Sequence, residues 1–115
     1  MSRALAALDE NEDNIRAALR YGLHEHHHHA VARIVGAVGY LWYAGGLYRE
    51  GSEWCSELFA AQPKLPDDVL AAVLHAYGTL LGSWAQPRVG ADILEQEVTL
   101  RRRLGDPARL AAALN

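Results

Sequence analysis

The chain has a single cysteine, Cys55, one methionine and one phenylalanine. One cysteine rules out an internal disulfide, offers no cysteine pair for a metal, and fits a reducing compartment. Basic residues are not in excess. The net charge of −3 over 115 residues argues against a general nucleic-acid binder. The longest apolar run, Ile34 to Tyr48, is 15 residues, short of the roughly 20 that span a bilayer. No charged-then-apolar leader opens the sequence, so a cytoplasmic protein, or a piece of one, is expected. Proline occurs at four positions only, each readable as a loop or a helix start. No stretch alternates with period two long enough to make a strand. Catalytic triads, paired-carboxylate sites and glycine-rich phosphate loops are missing too, so neither an enzyme nor a cofactor is expected. What the chain does have is apolar residues. They make up 50% of it, enough for the core of one domain and too many for a disordered segment.

Those apolar residues are organised around Ile34 to Phe59, which reads as two helices packed back to back. Val35, Val38, Leu41 and Trp42 lie at helical spacing, Gly45-Gly46 breaks the helix, and Leu47, Trp54, Cys55, Leu58 and Phe59 follow on the next one. Gly39 and Gly51 fall inside these helices, where a glycine costs roughly 1 kcal/mol relative to alanine. That cost suggests close helix contact. The pattern then returns: Gly78 and Gly90 follow Gly39 and Gly51 by 39 residues each. Val35 matches Leu74, Val38 matches Tyr77 and Trp42 matches Leu81, while Trp54 matches Ile93 and Phe59 matches Val98. A helix pair recurring at such a period marks an α-solenoid. Each glycine pair is expected to be the contact point within its own helix pair.

In chain order, a capping helix is expected over 9–23, opened by Asp9 and Glu12 at capping-box spacing. A histidine-rich loop, 24–29, comes next. Repeat one covers 30–61 and repeat two 66–104, with Pro66 and Pro87 at helix starts and Gly105 as a C-cap. Asp106-Pro107 opens a last helix, 107–115, the start of a third repeat. The fold class is therefore all-α, a solenoid of antiparallel helix pairs with about six helices.

Three segments carry a family resemblance. EDNIRAAL, Glu12 to Leu19, resembles the segment that precedes tetratricopeptide-like repeats in large bacterial ATPase-containing transcriptional regulators of the antibiotic-regulatory and LuxR-type classes. Trp42, Gly46, Glu50, Gly51, Trp54 and Phe59 look like the W-x-x-x-G-x-x-x-E-G-x-x-W-x-x-x-x-L block of those repeats, and Leu100 to Asn115 is similar to their inter-repeat linker. The resemblance covers nearly all of the chain from Asp9. It implies a tetratricopeptide-like fold, a fragment of a larger protein, and an interaction or sensor role apart from DNA binding and ATP hydrolysis. Two departures are the period of 39–40 residues, longer than the usual ~34, and the histidines at 24–29.

Several side chains could carry chemistry. His24, His26 and His28 are metal-binding candidates, and His24 and His28 would share a face if helical; a solvated loop that takes up metal adventitiously is the alternative. Arg101, Arg102 and Arg103 could meet phosphate, yet a basic run also complements the end of a helix. Cys55 is expected to be buried and inert. Trp42, Trp54 and Tyr77 fall on the core stripe. Glu50, Glu53, Asp67 and Asp68 read as helix-surface charges. Repeat arrays of this kind bind partners on the face lined by the first helix of each pair. Here that face should show Arg33, Tyr40, Tyr43, His75 and Thr79. The expected function is a protein–protein interaction or regulatory module whose partner is a protein, a peptide or another domain of the parent chain. A small-molecule effector sensor using Tyr40, Tyr43 and His75 is the competing reading. The uncovered apolar side of the last helix, Leu110, Ala111 and Leu114, would favour a homodimer.

Overall fold

A computed structural model describes the backbone of residues 2–105 and Leu114, with side chains from residue 11 onward. Five α-helices account for most of it: α1 Ser2–His24, α2 His28–Ala44, α3 Tyr48–Ala60, α4 Asp67–Gly82 and α5 Pro87–Leu104. Among the described residues there is no strand. Of the last helix, 107–115, only Leu114 is described, helical and exposed; the rest of that helix and the dimer expected through it lie outside the described residues.

Each helix packs on its neighbour in sequence, and α4 also lies against α2. Contacts fix the directions. An added Cβ at Gly36 would meet Ala72 and one at Gly39 would meet Ala76, so α2 and α4 run parallel. Gly78 meets Leu94 while Gly82 meets Gly90, so α4 and α5 are antiparallel. The core follows from the apolar stripes. Leu19, Val31, Val35, Trp42, Cys55, Leu58, Val73 and Leu80 form one buried cluster, and Ala71, Leu74, Leu81, Ile93 and Leu100 a second between α4 and α5. Trp42 is buried as expected, whereas Trp54 and Tyr77 are half-buried at the core's edge. Phe59 stacks on Tyr77 with ring centroids 5.6 Å apart.

The glycine expectation holds for one pair only. Gly78 and Gly90 meet directly: a Cβ on Gly90 would sit 2.7 Å from the Gly78 carbonyl oxygen. Gly39 and Gly51 do not meet. Gly39 instead lets Ala76 of α4 approach, and Gly51 makes room for Trp42 and Leu80. A period of 39 places equivalent glycines on equivalent helices, but the side chains opposite them differ, and these decide which element each glycine admits.

The first helix is longer than expected. It begins at Ser2, so Asp9 lies inside it and does not cap it, and it runs on to His24. His28 and His29 open α2. The α1–α2 turn copies the α2–α3 turn. His27 N–H donates to the Gly22 carbonyl at 2.8 Å, as Leu47 N–H does to Trp42 at 2.8 Å. In that shared turn the left-handed position is Gly46, φ 73°, in one case and His26, φ 60°, in the other. A side chain in that region costs about 1 kcal/mol. His26→Gly should therefore stabilise the chain by roughly 0.5–1 kcal/mol in urea denaturation; a lower midpoint would mean that the His26 ring holds the turn.

Candidate functional site

The α2–α4 contact leaves a groove. Because α2 and α4 are parallel and meet through Gly36, Gly39, Ala72 and Ala76, their backbones lie close and the seam between them has a floor of small residues. Larger side chains rise on both sides of it. Tyr40 and Tyr43 from α2 face His75 and Thr79 from α4 across a cleft of about 260 Å³. Helical spacing sets this arrangement, since residues three and four apart share a face. Tyr40 is 75% exposed and Tyr43 46% exposed. Both are therefore offered to solvent and excluded from the core.

The cleft is the middle of a longer groove. Through Gly36 and Ala72 it joins a second cleft lined by Arg33 and Asp68. Through Tyr43 and Thr79 it joins a third, lined by Gly78, Pro87, Gly90 and Leu94 at the start of α5. Arg33 thus lies at one end of the same seam, and all five residues expected on this face lie along it.

One part of the groove was not expected. Behind His75 lies Glu97 of α5, a carboxylate only 2% exposed. One oxygen accepts from His75 Nδ1 at 2.9 Å and the other from Arg101 Nε at 2.7 Å. The Glu97 hydrogen bond holds the His75 imidazolium above the usual histidine range, against the opposing effect of burial. For Glu97 the largest influence is burial, which pushes its carboxyl up. The hydrogen bonds and charges of His75 and Arg101 together outweigh it, so the carboxyl lies below its ordinary value. In the sequence Glu97 looks like any polar residue of an amphipathic helix. Its spacing from Ile93 and Leu100, four before and three after, was the signal that it faces inward.

Glu50 also departs from the expected surface role. Arg16 of α1 clamps it with two hydrogen bonds, Nε to Oε2 at 2.7 Å and Nη2 to Oε1 at 2.8 Å. Trp54 Nε1 donates to the same carboxylate at 3.3 Å. These bonds, the Arg16 pair foremost, lower the Glu50 pKa. The clamp ties α1 to α3. Glu53 is exposed and pairs with Arg49, while Asp67 and Asp68 are exposed at the start of α4. Trp84, 44% exposed, reaches back from the α4–α5 turn to donate to Ser52 Oγ at 3.0 Å.

The histidine segment is split by the turn. His24 ends α1, His26 occupies the turn and His28 opens α2, so His24 and His28 do not share one helix face. The His26 and His28 rings meet edge to face with centroids 5.7 Å apart. Among the described residues no group of three His, Cys, Asp or Glu side chains is placed to hold a metal ion. Cys55 is fully buried, and burial pushes its thiol up to about 12, which leaves no thiolate near neutral pH. Arg101 is committed to Glu97, and Arg103 lies 4.0 Å from Asp67. Among the described residues no helix is long and apolar enough to cross a membrane. Comparison with protein-family models, with curated proteins and with solved structures found no match to this chain.

Proposed function

We propose that this chain is a helical-repeat interaction module of the tetratricopeptide-like kind, part of a larger bacterial transcriptional regulator, and that it holds an extended partner segment in the α2–α4 groove. The observation that carries this reading is the groove itself: neighbouring clefts that share lining residues, two along the α2–α4 seam and one between α4 and α5, with Tyr40, Tyr43, His75 and Thr79 at the middle. Exposed tyrosines beside a small-residue floor suit a peptide. The rings supply contact area at low entropic cost, and the floor admits a backbone or a single side chain. The central cleft is below the roughly 300–1,000 Å³ of sites that enclose a small molecule, and it opens into its neighbours on both sides. That favours a chain lying along the seam over an enclosed effector. The regulator parentage rests on the resemblance of Trp42, Gly46, Glu50, Gly51, Trp54 and Phe59 to the repeat block.

The test uses Tyr40→Ala with Tyr43→Ala. A partner captured from bacterial lysate and then purified should bind the double variant at least about tenfold more weakly than the wild type, a loss of ~1.4 kcal/mol. The thermal midpoint should stay nearly unchanged, since both rings are exposed. Equal binding by wild type and variant in calorimetry would overturn the assignment of this face.

A further inference from the structure

The groove carries a fixed, directed nitrogen. A carboxylate oxygen can only accept, so the bond from Glu97 requires a proton on His75 Nδ1. The ring is then held by a buried partner, and Glu97 is itself held by Arg101. Nε2 lies on the ring edge away from Nδ1, on a side chain that is 59% exposed and lines the central cleft. With Nδ1 committed, Nε2 is the only part of the ring that can change its proton. It is an N–H donor on a cation at lower pH and a neutral acceptor at higher pH.

The charges around it set its sign. From α5 come Glu97 and Arg101, which offset one another and leave the imidazolium charge in excess. From α2 come the Tyr40 and Tyr43 hydroxyls, and farther along the seam Arg33. On α4 itself Asp68 lies at the Arg33 end of the groove, where each offsets the other. The middle of the groove is therefore an apolar, small-floored cleft with one directed positive donor.

We propose that the groove selects an acidic peptide segment, one in which a carboxylate beside an apolar side chain takes its hydrogen bond from His75 Nε2, and that it releases this segment as His75 loses its proton. This rests on the reading of the α2–α4 seam as a peptide groove. The occupant follows from charge complementarity: the apolar neighbour enters the Gly39–Ala76 floor between the tyrosines, and the carboxylate meets the one cation that the described residues place at mid-groove. Glu97 and Arg101 act as positioning residues that hold the ring and its Nδ1 proton. The raised His75 pKa puts the release above the ordinary imidazole value of about 6.5 and not below it.

The experiment is selection of a random peptide library displayed on phage against the full chain at about pH 6, where the imidazolium is populated. Enriched peptides are then made synthetically and measured by calorimetry. Asp or Glu next to an apolar residue should be enriched, and replacing that residue by Asn or Gln should weaken binding about three- to tenfold, the range of a partly exposed charged hydrogen bond. Affinity should fall by a similar factor between about pH 6 and a pH above the folded His75 value, where the ring is neutralised. His75→Gln, which can still bond Glu97 but carries no charge, should remove the pH dependence. Peptides that lose binding to the Tyr40→Ala, Tyr43→Ala variant yet show no acidic preference, or bind equally at both pH values, would overturn this inference and leave the groove reading standing. Peptides that bind that variant as well as the wild type, or a selection that enriches nothing, would overturn both.

Discussion

Gly90→Ala should destabilise the chain by about 1–3 kcal/mol, although alanine is the better helix former. Two effects oppose each other at this position. Inside α5 the exchange gains roughly 1 kcal/mol of helix propensity. Against this, the new Cβ would sit 2.6 Å from Gly82 Cα and 2.7 Å from both the Gly82 nitrogen and the Gly78 carbonyl oxygen. All three are backbone atoms, so no side chain can rotate away. Relief requires α4 and α5 to move apart, and their contact holds the cluster of Ala71, Leu74, Leu81, Ile93 and Leu100. Steric cost therefore exceeds the propensity gain. Gly36→Ala is the comparison. Its Cβ would approach the Ala72 Cβ to 3.1 Å and the Ala72 backbone carbonyl carbon only to 3.9 Å, a methyl contact that a shift of a few tenths of an ångström relieves. That variant should fall within about 0.5 kcal/mol of the wild type. Urea unfolding of the two variants separates backbone contact from side-chain contact, and a Gly90→Ala chain as stable as the wild type would show that the α4–α5 seam has slack.

The difference between the glycines also shows what the sequence can and cannot say. The all-α class, the start of α5 at Pro87 and the left-handed cap at Gly105, φ 70°, are legible because each depends on local chemistry. The groove was legible for the same reason. Tyr40, Tyr43, His75 and Thr79 lie off the apolar stripe of parallel helices, and the 39-residue offset puts them on equivalent faces. Partners across helices were not legible. Nothing in the sequence pairs Gly39 with Ala76 in preference to Gly51, because that choice depends on which helix lies opposite. Arg16 and Glu50 occur in two of the segments that carry the family resemblance, yet only packing of α1 on α3 side chains turns them into one clamp. The residues of the W-G-E-W block have structural roles. Trp42 fills the space beside Gly51, Gly46 takes the left-handed turn, Glu50 holds Arg16 and Trp54 donates to Glu50. The block thus describes how one helix pair closes, which is why it reads as fold and carries no direct information about a ligand.

Glu97 was the least legible of all, and the second large effect follows from it. Arg101→Met should cost about 1–2 kcal/mol near pH 6 and about 3–5 kcal/mol at a pH above the folded His75 value, because it strands a buried carboxylate. In the wild type the Arg101 guanidinium keeps one Glu97 oxygen paired at 2.7 Å whatever His75 does. Methionine keeps the apolar stem and removes the charge, leaving His75 as the one partner in contact among the described residues. The folded His75 pKa is raised, so the stability it contributes is complete below the ordinary imidazole value and is lost as pH rises through the folded value. Glu97 has the opposite dependence. Its folded pKa is lowered, so its contribution is present above the ordinary carboxyl range and is lost only as pH falls through the folded value. Near pH 6 both groups are ionised in the variant and the pair survives. His75 is more than half exposed, so solvent screens this pair and limits what it returns. Once the pH has risen through the folded His75 value the imidazole is neutral and Glu97, 2% exposed, holds an uncompensated charge. The wild type should show a shallow pH dependence over that interval and the variant a steep one, read as the difference between urea midpoints at the two pH values. Arg101→Met combined with Glu97→Gln should abolish the difference, since an uncharged amide has no ion to strand. Equal losses at both pH values in the single variant would mean that Arg101 acts through packing alone and that the Glu97 carboxylate does not depend on it.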